Sequence, residues 1–338
     1  MKLETEMRNR NIKRLLSLAL AGAGIASFCQ SALAQNGSYR IAVMPFAVNE
    51  YMSRWVKEMQ QHALVKDGTV KLTVLDGKSD AMVQSNQFDT AITQKFDAII
   101  VAPVDYQAAA APIARAAAAK IPVVGSVTTA NSDKLFAYVG TNDIEGGRLV
   151  ATQLISQLKG KGNIVILEGP IGNSPQLMRR KGIDAVLAAN PGIKVLASKP
   201  GNWSRAEGMS VTEDWLTRYG KTINGVISEN DAMSLGAIEA FKLKQIDPKT
   251  VPVVSIDGDR GGQLAVKDGD LFTLYKDAHC EGQGALDLAV RAVAGPSYQP
   301  KSDCWAKTMQ WKDGTAKQYD VPWVPLTKAN VDTYLNKL

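Results

Sequence analysis

Histidine, cysteine and aromatic side chains are scarce in this chain of 338 residues: two histidines, three cysteines, and aromatics at 7%. With only His62 and His279 available, a histidine-rich metal centre or a serine–histidine hydrolase is hard to assemble. After residue 28 no stretch approaches about 18 unbroken apolar residues, so no later segment reads as a membrane-spanning helix. No dense Lys/Arg run is present, which argues against nucleic acid as a partner. The glycines of "EGPIGNS" and "GDRGG" match neither a phosphate loop nor a dinucleotide fingerprint in their spacing and read as tight turns. No carboxylate pair is backed by a base, a metal cluster or a nucleophile elbow. Neither catalysis nor a cofactor or metal is expected.

What is present begins with an export leader. Lys2, Arg8, Arg10, Lys13 and Arg14 precede the apolar stretch 15–28, and Ala32-Leu33-Ala34 forms a small-x-small cleavage site before Gln35. Residues 1–34 are therefore expected to be a signal peptide cleaved near Ala34, giving a soluble periplasmic protein. A lipoprotein reading through Cys29 is weaker because bulky Phe28 precedes it, and Met7 is an alternative start. The leader holds five basic and two acidic residues, so its removal takes the formal charge from +6 to +3. Cys280 and Cys304 then remain. In an oxidising compartment they either close a loop of about 25 residues or stay as two thiols.

Hydrophobic content of 45% supports two sizeable cores. Short apolar, β-rich runs stand at 39–44, 70–75, 97–102, 121–125 and 135–139, and again at 163–168, 193–197, 224–228, 252–257 and 271–275. Helical patterns such as 105–119, 143–158, 174–189 and 231–243 lie between them. Near-continuous apolar strands joined by helices predict an α/β fold of two doubly wound lobes, each a parallel sheet covered on both faces. Ligands bind such sheets in the loops at the carboxyl ends of the strands.

Those loops hold the candidate residues. Tyr51 and Trp203 offer flat apolar faces suited to stacking on a sugar ring, or else they cap hydrophobic cores. Ser174-Pro175 opens a helix and puts Arg179 in its second turn, where a guanidinium can donate to adjacent hydroxyls or lie on the surface. Asn230 ends a strand and presents an amide or makes a turn. Asp257 ends another, to accept two hydroxyls or to cap a helix. Asp277 follows the 271–275 strand, where its carboxylate binds ligand or stays solvated.

The segments "VNEYM", "FAYVGTNDIEGGR", "EGPIGNSPQLMRRKG", "NWSRAEGM", "SENDAMSLGAIEA" and "VVSIDG", in this order and spacing, resemble periplasmic sugar-binding proteins of ABC importers, close to the ribose-binding type. The resemblance implies a type 1 periplasmic binding protein fold with a three-segment hinge. One lobe would be 38–141 plus 278–306, the other 142–277 plus 307–338, with crossovers near 140–142, 276–279 and 305–318. It also implies ligand roles for Asn49, Tyr51, Met52, Arg179, Trp203, Asn230 and Asp257, with Asp277 replacing a glutamine. Two departures count against ribose: Val127 and Thr128 stand where the family has an Asp-Arg pair, and Ala102 where it has an asparagine. The implied function is a monomer that captures a small carbohydrate or polyol for an ABC permease. The alternative is presentation of such a ligand to a receptor kinase or chemoreceptor. A repressor of related fold is disfavoured, since a secretion signal stands where the DNA-binding headpiece would be.

Overall fold

The computed structural model describes residues 38–335. The leader, its cleavage site at Ala34 and Cys29 lie outside the described residues. All ten apolar runs are strands: β1 (Tyr39–Met44), β2 (Val70–Val74), β3 (Ala98–Val101), β4 (Val123–Ser126), β5 (Ala137–Gly140), β6 (Gly162–Glu168), β7 (Ile193–Pro200), β8 (Gly225–Ser228), β9 (Val253–Asp257) and β10 (Phe272–Tyr275). Two further strands, β11 (Gln318–Asp320) and β12 (Val324–Leu326), follow near the end. The helices are α1 (Glu50–Gln60), α2 (Ala63–Lys66), α3 (Ala81–Thr93), α4 (Ala110–Ala118), α5 (Asp143–Gln157), α6 (Ser174–Ala188), α7 (Arg205–Tyr219), α8 (Asp231–Leu243), α9 (Arg260–Asp268), α10 (Ala278–Ala294), α11 (Cys304–Lys307) and α12 (Val331–Leu335). No helix among the described residues is long and apolar enough to cross a membrane.

The strands form two sheets of six, ordered β11-β5-β4-β3-β1-β2 and β12-β10-β9-β8-β6-β7. All pairs are parallel except β12, which lies antiparallel on β10. Strands β3, β4, β8 and β9 are buried at every residue, which is why their sequences are largely apolar, with a few small or strand-end polar residues, rather than alternating. Side chains still alternate between faces. Ile41 and Val43 enter one core and Ala42 and Met44 the core on the other side, as Val165 and Leu167 do against Ile164 and Ile166 in the second sheet. The edge strands β2 and β7 are mostly exposed and carry lysines, a composition that discourages further pairing.

The chain passes between the sheets after β5, after β10, and between β11 and β12. The third passage corrects the expectation of a crossover at 305–318 and of 307–338 in the second lobe. β11 pairs with β5, and Met309, Tyr319 and Val321 pack in a core of the first sheet, so the chain crosses at 321–323. A strand of three residues is too short for its periodicity to show in the sequence.

Two glycine pairs set helix positions that matter below. The spot where a Cβ would stand on Gly147 (α5) is 2.8 Å from the carbonyl carbon of Arg179 (α6), and the corresponding spot on Gly182 is 2.9 Å from the nitrogen of Arg148. Only glycine allows this approach, which seats the first turns of α6 beside Asp143. Gly208 and Gly236 bring α7 and α8 together in the same way.

Candidate functional site

A cavity of about 50 Å³, counted as the space open to the centre of a water molecule, lies between the carboxyl ends of the two sheets. Its walls include Phe46, Asn49, Tyr51, Val127 and Thr128 from the first sheet's loops. The second sheet's loops supply Arg179, Trp203, Asn230, Asp257 and Asp259, and Lys276 sits at the second crossing.

The two asparagines are alike in construction. Each is the N-cap of a helix and accepts with Oδ1 from the backbone three residues on, Asn49 from Met52 N and Asn230 from Met233 N, both at 2.9 Å. With the oxygen so engaged, Nδ2 is the atom left to donate into the cavity.

Trp203 is half-buried and packs against a core of each sheet. Its ring thus faces the cores and also lines the cavity. Gly169 makes this possible: a Cβ there would lie 2.6 Å from indole Cε2. The Gly169 nitrogen is anchored by donating to Glu229 Oε2 at 2.8 Å. Trp203, Asp257 and Val127 all have positive φ, at 59°, 122° and 65°. Such backbone is costly for these residue types and gathers where the surrounding structure fixes a functional geometry.

Arg179 is buried. Its Nε donates to Asp143 Oδ1 at 2.8 Å, its Nη1 to the carbonyl of Glu229, and its Nη2 lies 3.9 Å from Asp257 Oδ1. The guanidinium also sits 5.6 Å from the Trp203 ring. Burial pushes Asp257 up to about 6, opposed by Arg179 and Lys276. Burial likewise raises Asp259 well above the carboxylate range, helped by the neighbouring Asp257 and Asp231.

Tyr51 is buried and donates through its hydroxyl to Glu281 Oε2 at 2.6 Å. Lys276 Nζ lies 4.8 Å from the centre of the Tyr51 ring and 3.6 Å from Glu281 Oε1. That separation is too long for a hydrogen bond, and Glu281 Oε1 is buried with no hydrogen-bond partner. Burial moves Glu281 up to about 7 against the pull of Lys276 and Tyr51.

Six of the eight residues expected from the sequence thus line the cavity: Asn49, Tyr51, Arg179, Trp203, Asn230 and Asp257. Two do not. Met52 is 1% exposed and belongs to the core behind α1, because it shares a helix face with Trp55 and Met59. Asp277 caps α10, accepting from His279 N and Cys280 N at 3.1 and 3.3 Å, and faces a separate hollow beside Arg54 and Glu58. Its neighbour Lys276 takes the place at the cavity. Lys276 and Asp259 went unnoticed in the sequence, although both are the next charged residues past a strand's carboxyl end. Val127 and Thr128 do face the cavity. Ala102 is fully buried, and its carbonyl accepts from Gln84 Nε2 at 3.0 Å. Cys280 and Cys304 are joined, with Cα atoms 5.4 Å apart.

A family model described as "Periplasmic binding protein domain" matches residues 41–297. The xylitol-binding protein of Mycolicibacterium smegmatis is 34% identical over 281 residues, 83% of this chain and 78% of that protein. A putative rhizopine-binding protein of Rhizobium meliloti is 32% identical over 250 residues, 72% and 80% of the two chains. Among solved structures, an ABC transporter solute binding protein from Bacillus halodurans with bound myo-inositol superposes with a TM-score of 0.80 at 27% identity, over 90% of this chain and 100% of that one.

Proposed function

The chain belongs to the periplasmic binding protein family, whose members similar to it bind sugars or polyols, and from this we propose that it captures one small polyol or cyclic sugar and hands it to an ABC permease as an exported monomer. The observation that carries the reading is the cavity wall: the aromatic rings of Phe46, Tyr51 and Trp203, two cap-fixed asparagine amides, and Arg179, Lys276, Asp257 and Asp259, contributed by both sheets. Donors, acceptors and charges of both signs are present, with Glu50 a third carboxylate, a pattern that suits vicinal hydroxyls on an uncharged ligand. Apolar Val127 and Ala102 weaken the case for ribose, while a relative named for xylitol and a similar structure with bound myo-inositol favour a polyol.

The moving bodies in this reading are 38–141 with 278–321 and 142–277 with 324–335. Ligand contacts to both would stabilise the closed arrangement, which the permease reads. Nothing in the cavity wall pairs a nucleophile with a base, so capture without turnover is the reading.

A thermal-shift screen of the mature protein against xylitol, myo-inositol and D-ribose, followed by calorimetric titration, tests it. At least one polyol should raise the melting temperature and bind more tightly than ribose, and Lys276→Met should weaken that binding about tenfold or more, as loss of a hydrogen bond from a charged donor does. No shift with any sugar or polyol would defeat the proposal.

A further inference from the structure

Each other described helix of 11 residues or more opens on a side chain that caps it: Asn49, Asp80, Asn142, Ser204, Asn230 and Asp277 all accept from their own first turn. Helix α6 does not. Asn173 stands at its capping position with extended backbone and makes no capping bond. Its side chain, in a residue 2% exposed, turns away from the helix. Nδ2 donates to the carbonyl of Val104 at 2.9 Å and to that of Pro103 at 3.3 Å, while Oδ1 is left buried without a partner. Ser174 Oγ accepts from Thr129 N at 2.8 Å, and the carbonyl of Gly172 accepts from Tyr106 N at 2.9 Å. Gly172 has a φ of +90°, and a Cβ there would run into the Asp105 carboxylate.

All these bonds join the loop after β6, in the second sheet, to loops after β3 and β4 in the first. Two residues well suited to capping α6 are spent on the opposite half instead. Asn173, Ser174, Gly172 and Tyr106 are absent from the cavity wall. The bonds exist only while the halves are together, and they have no contact with whatever lies between them.

We propose that residues 172–174 form a clasp that holds the two halves shut without a ligand, with Asn173 as its main positioning residue. The proposal rests on the reading that the halves part and close. A clasp of this kind raises the fraction of closed protein, and the apparent affinity of every ligand rises by that same factor. It sets how tightly the protein binds, and the cavity wall sets what it binds.

The test compares wild type with Asn173→Ala as mature proteins. Small-angle scattering without ligand should give a larger radius of gyration for the variant. Titration with xylitol, myo-inositol and D-ribose should show affinity lowered by a common factor of roughly five to thirty, carried by faster dissociation and with the order of preference unchanged. Equal radii in the ligand-free proteins overturn the proposal, as does an affinity that is unchanged or that falls for one probe and not another. Should Asn173→Ala fail to fold by circular dichroism, Ser174→Ala carries the same comparison with the same outcomes. If wild type binds none of the probes, the proposed function is what fails, and the scattering comparison still decides the clasp.

Discussion

Substituting Gly169 by alanine would test the site through a residue that is not part of the cavity wall. The new methyl carbon would stand 2.6 Å from Trp203 Cε2 and closer still to two other ring carbons, whereas carbon atoms in contact need about 3.5 Å. The Gly169 backbone is held by its bond to the buried Glu229 carboxylate, so the indole must give way by about 1 Å or more. A gap of that size forfeits up to about half of a contact's attraction. A buried aromatic anchor is worth about 2–4 kcal/mol in binding, so the loss should be about 1–2 kcal/mol, or roughly five- to thirtyfold in Kd. Overpacking should also lower stability by about 1–3 kcal/mol. Calorimetric titration and differential scanning calorimetry on the one variant measure both effects. Adding Trp203→Phe to Gly169→Ala, a smaller ring beside the larger neighbour, should recover part of the lost stability. A Kd within twofold of wild type together with a clear fall in melting temperature would refute the stacking role and leave Trp203 as packing alone.

Other outcomes follow from the same structure. Denatured, unreduced mature protein should titrate no free thiol, and reduction of the Cys280–Cys304 bridge, which spans a sequence separation of 24, should cost about 3 kcal/mol of stability; two free thiols would end this expectation. His279 is raised from 6.5 to about 9 by its hydrogen bond to Glu58, with Asp303 adding to the effect. Because the folded value is the higher one, its contribution to stability is complete below about pH 6.5 and is lost as pH rises through about 9. Melting temperatures of His279→Asn and wild type should therefore converge over that window, and parallel curves would contradict the assignment. Protein recovered from the periplasm should have a mass beginning near Gln35, whereas an intact residue 15–28 segment in the membrane fraction would show an uncleaved leader.

The inner strands were legible because a parallel sheet buries both their faces and so writes each as a largely apolar run, while the edge strands β2 and β7 keep enough apolar and β-branched residues to stand out between helices. The cavity loops were legible because each follows directly on such a run. What escaped notice depends on single-residue offsets or on distance along the chain. Met52 shares the 3–4 residue spacing of Trp55 and Met59, a core-facing pattern that its position beside Tyr51 obscured. Lys276 and Asp277 are adjacent, and which of them reaches the cavity is decided by where β10 stops, at Tyr275. Asp259 sits in a glycine-containing turn that reads as plain loop. The bonds of Asn173 join segments some 70 residues apart, and nothing in the local pattern of "IGNSPQ" distinguishes a helix cap from a contact with another loop.

The threading of the chain through the two sheets also bears on how the molecule assembles. The first sheet starts at Tyr39, yet its edge is completed by β11 at residues 318–320, and α10, which covers β3, β4 and β5, spans 278–294. A chain released from its amino end therefore holds residues 39–140 with one apolar face of the sheet covered only in part, by α1, until almost everything else has appeared. The second sheet takes five of its six strands from the continuous stretch 162–275. Its contacts are more local and its loops cheaper to close. The later half of the sequence is thus the one equipped to fold first, and the earlier half, which joins it by long-range closure, is the one exposed to aggregation while the chain is incomplete.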